Sequence, residues 1–238
     1  MTKIFERKIE YGMCDTASKL KIVEIVKLIE AGVASFLKLY QKDNFTMKFQ
    51  YGALWLFTKT KFQIEELPGW DEDVIVEARR IAYESKLLAV IEIFIHTKNN
   101  DKGITAWVEC CCARIETRKL LRLSEYDFEI PAEIEDDISF ERFDASVEES
   151  RKLVVSSSYI DYSHHTNNAE YLRMIMDEFS VAQLEELKIK TVEIHYLAET
   201  KEKDELTVMK AYKDGIHYFK IAKDKPVVEV QMKEENAI

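Results

Sequence analysis

Proline and glycine are scarce. Three prolines (Pro68, Pro131, Pro226) and six glycines punctuate 238 residues. A chain so poor in breakers consists of long regular elements with few wide loops. Cysteine is scarce too, limited to Cys14 and the run Cys110-Cys111-Cys112. Neighbours on a strand point to opposite faces, so this run lacks the geometry of a CxxC chelate, and reduced, packed thiols are expected. Nothing in the sequence points to a metal or a cofactor. No apolar run approaches the roughly 18 residues of a spanning helix. The segment Met1-Thr2-Lys3-Ile4-Phe5-Glu6-Arg7 carries charges where a secretory signal needs an apolar stretch. Positive charge is in deficit: 34 Lys and Arg against 44 Asp and Glu leave a net charge of −10. That disfavours nucleic acid and anionic membrane surfaces as partners. A soluble, cytoplasmic protein without a membrane span is expected.

Apolar residues make up 47% of the chain, enough to bury a core in one or two domains. The first strong pattern predicts a helix over Ser18 to Tyr40. Its apolar residues, from Leu20 to Phe36 and Leu37, cover more than one face, so the helix is expected to be largely buried, with Thr16 or Ser18 as its cap. Strands are predicted over Leu54–Glu65, Val74–Arg79, Lys86–His96 and Ile104–Glu116, with a hairpin turn at Asn99-Asn100-Asp101-Lys102-Gly103. From Leu123 to Arg151 the pattern fades into acidic, aperiodic stretches such as Ile134-Glu135-Asp136-Asp137 and Val147-Glu148-Glu149-Ser150, which read as a connector. The order then recurs: a strand over Lys152–Ile160, a helix over Asn168–Leu187, and strands over Thr191–Ala198, Asp204–Tyr212, Ile216–Ala222 and Val227–Met232.

The recurrence decides the fold class. Cys14-Asp15 before the first helix aligns with Ile160-Asp161 before the second. A long central helix wrapped by an antiparallel sheet is the hotdog pattern, and two in tandem give an α+β double hotdog. The expected organisation is an N-terminal hotdog over 1–130, a connector over 131–150 and a C-terminal hotdog over 151–238.

Chemistry concentrates in Asp161-Tyr162-Ser163-His164-His165-Thr166-Asn167-Asn168, where polar groups alternate and then meet a helix start. Such a loop can aim several side chains at one point beside free backbone N–H groups. Hydrolysis at an acyl carbon needs a base, a polarised carbonyl and an oxyanion site. Histidine is the side chain that commonly serves as a base in neutral solution, so His165 is the candidate, Asp161 can orient it or a water, and the first-turn N–H groups near Asn167 and Asn168 can meet the oxyanion. Capping alone also accounts for Asp, Ser and Asn before a helix. The first copy weighs against capping as the whole purpose. It reads Asp15-Thr16-Ala17-Ser18-Lys19-Leu20-Lys21, which keeps the cap chemistry and lacks the histidine and the paired asparagines. Glu199 is a second acidic position, although Glu202, Asp204 and Glu205 nearby suit a solvated turn. His195 reads as a packed or surface strand residue.

At this point the chain resembles the acyl-acyl-carrier-protein (acyl-ACP) thioesterases, the plant plastid enzymes and their bacterial relatives. The family's Asp-x-Asn-x-His-x-Asn-Asn followed by a helix with Tyr reads here as Asp161-Tyr162-Ser163-His164-His165-Thr166-Asn167-Asn168-Ala169-Glu170-Tyr171. Its Tyr-x-x-Glu reads Tyr196-Leu197-Ala198-Glu199, and its Trp-containing strand reads Trp55-Leu56-Phe57-Thr58-Lys59. Leu67-Pro68-Gly69-Trp70-Asp71 resembles its Pro-x-Trp-Gly-Asp turn. Arg118-Lys119-Leu120-Leu121-Arg122-Leu123 with Ile130-Pro131 resembles the end of its first domain. The resemblance implies that Asp161, His165 and Glu199 are catalytic, that water is activated by the carboxylates with His165 sharing proton transfer, and that the first hotdog holds much of the acyl tunnel. Two positions depart. Ser163 stands where the family has a catalytic Asn, and Thr200 where plant members often have Cys, which rules out a Cys nucleophile there.

The implied partner, acyl carrier protein, is acidic, so a thioesterase of net charge −10 needs a local basic patch. Arg114, Arg118, Lys119 and Arg122, with Arg79 and Arg80, are the docking residues the sequence offers. Two other readings remain: a hotdog acyl-coenzyme A thioesterase, and a degenerate double hotdog that only binds acyl chains, motivated by Ser163. A double hotdog already contains the pairing that single hotdogs reach by dimerising, so a monomer is plausible beside a homodimer.

Overall fold

The computed structural model describes residues 2–82, 85–126 and 138–235. The side chain of Arg80, the Ile130-Pro131 element, the acidic run 134–137 and the 130/131 boundary lie outside the described residues.

The chain is α+β. Its first half contains β1 (Thr2–Lys8), helix α1 (Ile22–Leu39), a short helix α2 (Asn44–Thr46) running into a π-turn (Met47–Tyr51), then β2 (Ala53–Ile64), β3 (Asp73–Ala82), β4 (Leu88–Thr97), β5 (Gly103–Arg114) and the two-residue β6 (Leu120–Leu121). The second half contains β7 (Glu148–Val154), α3 (Asn168–Met176), α4 (Val181–Glu186), β8 (Ile189–Tyr196), β9 (Glu205–Lys213), β10 (Ile216–Ala222) and β11 (Pro226–Glu234). All pairings are antiparallel. They form one sheet in the order β1-β3-β4-β5-β2-β8-β11-β10-β9-β7, with β6 beside β5.

That order contains the repeat. The first half runs 1-3-4-5-2 from its edge to the seam, and the second runs 7-9-10-11-8 from the opposite edge to the seam, the same connectivity about a pseudo-twofold axis. The two copies meet at β2 and β8, where Lys59 pairs with His195, Thr60 with Ile194 and Lys61 with Glu193. Opposite charges stabilise that register: Lys61 Nζ lies 3.3 Å from the buried Glu193 carboxylate. His195 is such a strand residue, its Nε2 2.7 Å from Glu193 Oε1.

Helix α1 lies against β1, β3 and β4 and touches α3. Val23, Ile25, Val26, Leu28, Ile29, Val33, Phe36 and Leu37 are all buried, so the all-round apolar pattern meant burial. A Cβ at Gly32 would stand 3.0 Å from Val76 and 3.3 Å from Ile93, so the missing side chain lets the helix settle on the sheet.

Four expectations need correction. The first helix starts at Ile22, not Ser18, and its N-cap, Lys21, makes no side-chain cap bond. Asp15 instead receives the N–H groups of Ala17 and Lys19 at 2.9 Å each, and Ser18 turns left-handed with φ 60, so this stretch closes a tight loop before the helix. The second helix is broken into α3 and α4. Ser180 and Gln183 form a capping box that starts α4 afresh, while Phe179 packs edge-on to His217 and Phe219. The strand predicted over Lys152–Ile160 ends at Val154, and Ser157–Tyr159 form a 3-10 turn. Its true start, Glu148, falls in the stretch read as connector. Both edge strands, β1 and β7, are largely exposed and polar, so neither carries an alternating apolar signal.

The irregular residues 138–143 are pinned across the sheet's outer face. Lys61 donates to the Ser139 carbonyl at 3.0 Å, Lys233 pairs with Glu141 at 2.6 Å, and Phe143 packs edge-on to Tyr218. The three adjacent cysteines are unpaired thiols buried on β5, and burial pushes Cys112 up to about 12, as expected for packed, unreactive thiols.

The hairpin between β4 and β5 depends on a glycine. A Cβ at Gly103 would lie 2.1 Å from the Ile95 carbonyl oxygen, a backbone atom with no room to yield. Gly103→Ala is therefore expected to destabilise by more than about 2 kcal/mol, a drop in Tm of roughly 4–8 °C at this chain length. Differential scanning calorimetry checks it, and an unchanged Tm would contradict the packing described.

Candidate active site

The polar loop of the second copy is a rebuilt version of a structural loop in the first. In both, a 3-10 turn (Tyr11–Met13, Ser157–Tyr159) leads into a one-pair bridge, Cys14 with Leu20 and Ile160 with Thr166. Asp15 N–H donates to the Lys19 carbonyl at 2.8 Å, as Asp161 N–H does to His165 at 2.9 Å. Ser18 and His164 share the left-handed turn position, with φ 60 and 65. Lys21 and Asn167 both become the N-cap of the helix that follows. Further along, Leu20 N–H donates to Pro68 and Thr166 N–H to Thr200, each at 2.9 Å, so Leu67 corresponds to Glu199. The common scaffold is thus fixed by backbone bonds and one aspartate. The second copy adds Ser163 for Ala17, His165 for Lys19, Asn167-Asn168 for Lys21-Ile22 and Glu199 for Leu67.

These additions converge. Asp161 Oδ1 accepts from the Ser163 N–H at 2.7 Å and from Ser163 Oγ at 2.6 Å. Ser163 Oγ lies 3.3 Å from His165 Nδ1, and His165 Nε2 lies 3.2 Å from Glu199 Oε2. Because the Ser163 proton is committed to Asp161, its oxygen is free to accept from Nδ1–H. The imidazole is therefore oriented by Ser163 at Nδ1 and by Glu199 at Nε2. Its side chain is 13% exposed, while Glu199 is 40% exposed at the rim. Arg118 Nη1 lies 3.1 Å from Glu199 and steers the carboxylate from the other side. Asp161 reaches the imidazole through Ser163.

Thr200 faces away from this line. It is 1% exposed, and its hydroxyl sits 2.7 Å from Thr166 Oγ1 and 2.8 Å from the Tyr171 hydroxyl. This buried trio ties the 161–168 loop, α3 and the 197–200 segment together, so His165 and Glu199 cannot drift independently.

The groups open onto a cavity of about 680 Å³. Its polar wall is the loop from Asp161 to Asn168 with Tyr171 and Glu199. Ala34, Leu54, Leu56 and Cys111 of the first half give apolar wall. Asn167 caps α3 by accepting from the Ala169 N–H at 2.9 Å, and its amide donates to Glu30 Oε2 at 3.4 Å.

Glu30 went unnoticed in the sequence. Its carboxyl is half-buried and lines the cavity. Desolvation pushes it up to about 7, against hydrogen bonds from Asn167 and Asn168 that pull it down. The signal was there: Val26, Glu30, Val33 and Leu37 share one helical row, and only a purpose keeps a carboxyl in it.

Of the basic residues, Arg114, Arg118, Lys119 and Arg122 are exposed around the turn after β5, and Arg118 also lines the cavity. Arg79 does not join them. Its guanidinium stacks 3.5 Å over Phe94 and pairs with Glu92 at 3.9 Å. Among the described residues no group of three or more His, Cys, Asp and Glu could hold a metal ion, and no helix is long and apolar enough to cross a membrane.

Comparison with known proteins agrees with this architecture. Residues 143–236 match the family model described as the acyl-ACP thioesterase C-terminal domain. Among curated proteins no sequence match is found. Among solved structures, an acyl-ACP thioesterase from Bacteroides thetaiotaomicron is 17% identical, with 96% of each chain covered and a TM-score of 0.81. The 12:0-ACP thioesterase from Umbellularia californica is 14% identical, with 96% of each chain covered and a TM-score of 0.80. At these identities the likeness is one of fold. Residues 143–236 are thus similar to the acyl-ACP thioesterase C-terminal domain, in a chain that takes the double hotdog fold of those solved proteins over nearly its whole length.

Proposed function

We propose that this chain hydrolyses the thioester of fatty acyl-acyl carrier protein to free fatty acid and carrier protein. The observation that carries the reading is the placement of His165 between Ser163–Asp161 and Glu199 at the mouth of a partly apolar cavity. Asp161, Ser163, His165 and Glu199 are the working groups. A water held beside the Glu199–His165 contact loses its proton to this pair as its oxygen bonds to the carbonyl carbon. The Asn167 N–H, expected from the sequence as an oxyanion donor, is bonded to the Tyr159 carbonyl at 2.9 Å, and the Ala169 and Glu170 N–H groups are bonded to Asn167. The Asn168 N–H at the start of α3 is therefore the backbone donor for the oxyanion. Collapse of the tetrahedral species breaks the C–S bond, and the proton taken from water goes to the departing sulfur. No enzyme residue is acylated.

The acyl chain lies along Ala34, Leu54, Leu56 and Cys111, so the first hotdog serves as the chain-binding half and the second as the catalytic half. Acyl carrier protein docks on Arg114, Lys119 and Arg122 beside Arg118. One chain contains both halves of the site, so a monomer suffices. Reversing Arg114, Lys119 and Arg122 to Glu is expected to raise KM for acyl-ACP about tenfold or more, with kcat little changed. Arg118 is left intact because it holds Glu199. An unchanged KM would remove this docking surface.

The test of the reading is a ladder of acyl chains presented as carrier-protein and as coenzyme A thioesters. Free acid is expected from the carrier-protein series at the higher kcat/KM. Preference for coenzyme A would make it an acyl-CoA thioesterase, and no release from either would leave an acyl-binding protein.

A further inference from the structure

Glu30 belongs to the half of the molecule that lacks the catalytic loop, yet its carboxyl meets that loop. It receives the Asn167 amide at 3.4 Å, and the neighbouring Asn168 amide helps hold its charged form. The tandem symmetry gives this contact meaning. Asp15 corresponds to Asp161, and at the same spacing Glu30 corresponds to Met176, while Asn167-Asn168 correspond to Lys21-Ile22. The pseudo-equivalent corner therefore lacks both the carboxyl and the amides. Carboxyl and amides occur together, on opposite helices, at the one corner that also carries His165. A carboxyl recessed in a core helix costs stability, and the helices pack without such a contact at the equivalent corner. Packing alone does not explain it.

We propose that Glu30 is a positioning residue, clamping the side-chain amides of Asn167 and Asn168 so that the first turn of α3 stays aimed at the thioester carbonyl. The proposal rests on the thioesterase reading of this site and makes the active site a composite of both hotdogs. Asn167 is the N-cap of α3, so a carboxyl that fixes its amide also fixes the oxygen that caps Ala169. Two residues upstream is His165, so the clamp also limits tilt of the loop that holds the imidazole. The charged and titratable groups facing Glu30 are Lys27 on its own helix, Asp161 and Tyr162 on the loop, and Tyr196 on β8.

Two variants separate positioning from bulk packing. Glu30→Leu fills the space without an acceptor, and Glu30→Gln keeps one. With acyl-ACP as substrate at pH 7.5, Glu30→Leu is expected to lower kcat about tenfold to a hundredfold, with KM within about threefold. Glu30→Gln is expected to recover most of that loss. Independently of activity, the side-chain amide resonances of Asn167 and Asn168 should titrate with Glu30 in the unaltered protein and stop doing so in Glu30→Gln. Equal kcat in Glu30→Leu and the unaltered enzyme, or amide resonances that do not move with pH, overturns the proposal. If the unaltered protein hydrolyses no thioester while the amides titrate, the thioesterase reading fails and the clamp stands.

Discussion

Replacing His165 by Ala is expected to lower kcat for acyl-ACP hydrolysis by about 10²–10⁴, the range for losing a positioned acid–base group, with KM nearly unchanged. The side chain contributes little to the fold. It is 13% exposed and its ring contacts are Ser163 and Glu199, whereas the loop is held by backbone bonds from Asp161 to His165 and from Thr166 to Thr200. The first copy keeps that backbone pattern with Lys19 at the equivalent position, so the loop does not need a histidine to form. Stopped-time assays of released acid, with thermal melts of both proteins, check this. A large loss of kcat with a similar Tm is the expected pair. Loss of both together would mean that His165 is a structural residue.

Glu30 gives the second large effect, on stability against pH. Its carboxyl is raised from an ordinary 4.5 to about 7 in the folded protein, mainly by desolvation. A raised carboxyl acts against folding once it ionises. The protein binds a proton there between about pH 4.5 and 7 that the unfolded chain has released, so stability falls as pH rises through that window and levels off above it. The full cost is on the order of 3 kcal/mol. Glu30→Gln has no proton to lose. Its Tm should match the unaltered protein near pH 4.5 and exceed it by roughly 6–12 °C at pH 8.5. Calorimetry at the two pH values decides the matter. A gap that is the same at both would mean that the carboxyl is not desolvated. Together with the kinetic effect of Glu30→Leu, this describes a group that costs stability where it supports activity.

Much of the fold was legible because the sequence repeats itself. β10 appears over the same Ile216–Ala222 in both readings, and the hairpin at 99–103 was marked by its Asn, Asp and Gly. What escaped was set by tertiary contact. β1 and the start of β7 are polar edge segments that exist because β3 and β9 offer free backbone groups. The break between α3 and α4 lies inside a helix-like pattern, at a serine whose capping role depends on Gln183 turning back to it.

The candidate site was legible where its residues are close in sequence. The Asp161–Asn168 stretch stood out because Asp15–Lys21 offered a blank version of it. Glu199 came only with the family resemblance, since a glutamate among Glu202, Asp204 and Glu205 carries no local signal. Glu30 and the Arg118 contact with Glu199 depend on helices and turns meeting across the molecule. Thr200 was read as the absence of a nucleophile. The structure gives it a positive task, in the hydroxyl trio with Thr166 and Tyr171.

The central claim is that Glu199 and His165 direct water onto the thioester without forming an acyl-enzyme. Glu199 is itself a carboxylate at the rim, and as a nucleophile it would form an anhydride. A single turnover in ¹⁸O-labelled water with enzyme in excess separates direct attack from an anhydride that water opens at the Glu199 carbonyl. Direct attack by water predicts released fatty acid carrying one ¹⁸O atom in that first turnover, with the Glu199 peptide unlabelled. Unlabelled fatty acid together with ¹⁸O in Glu199, or no released acid, would contradict the account.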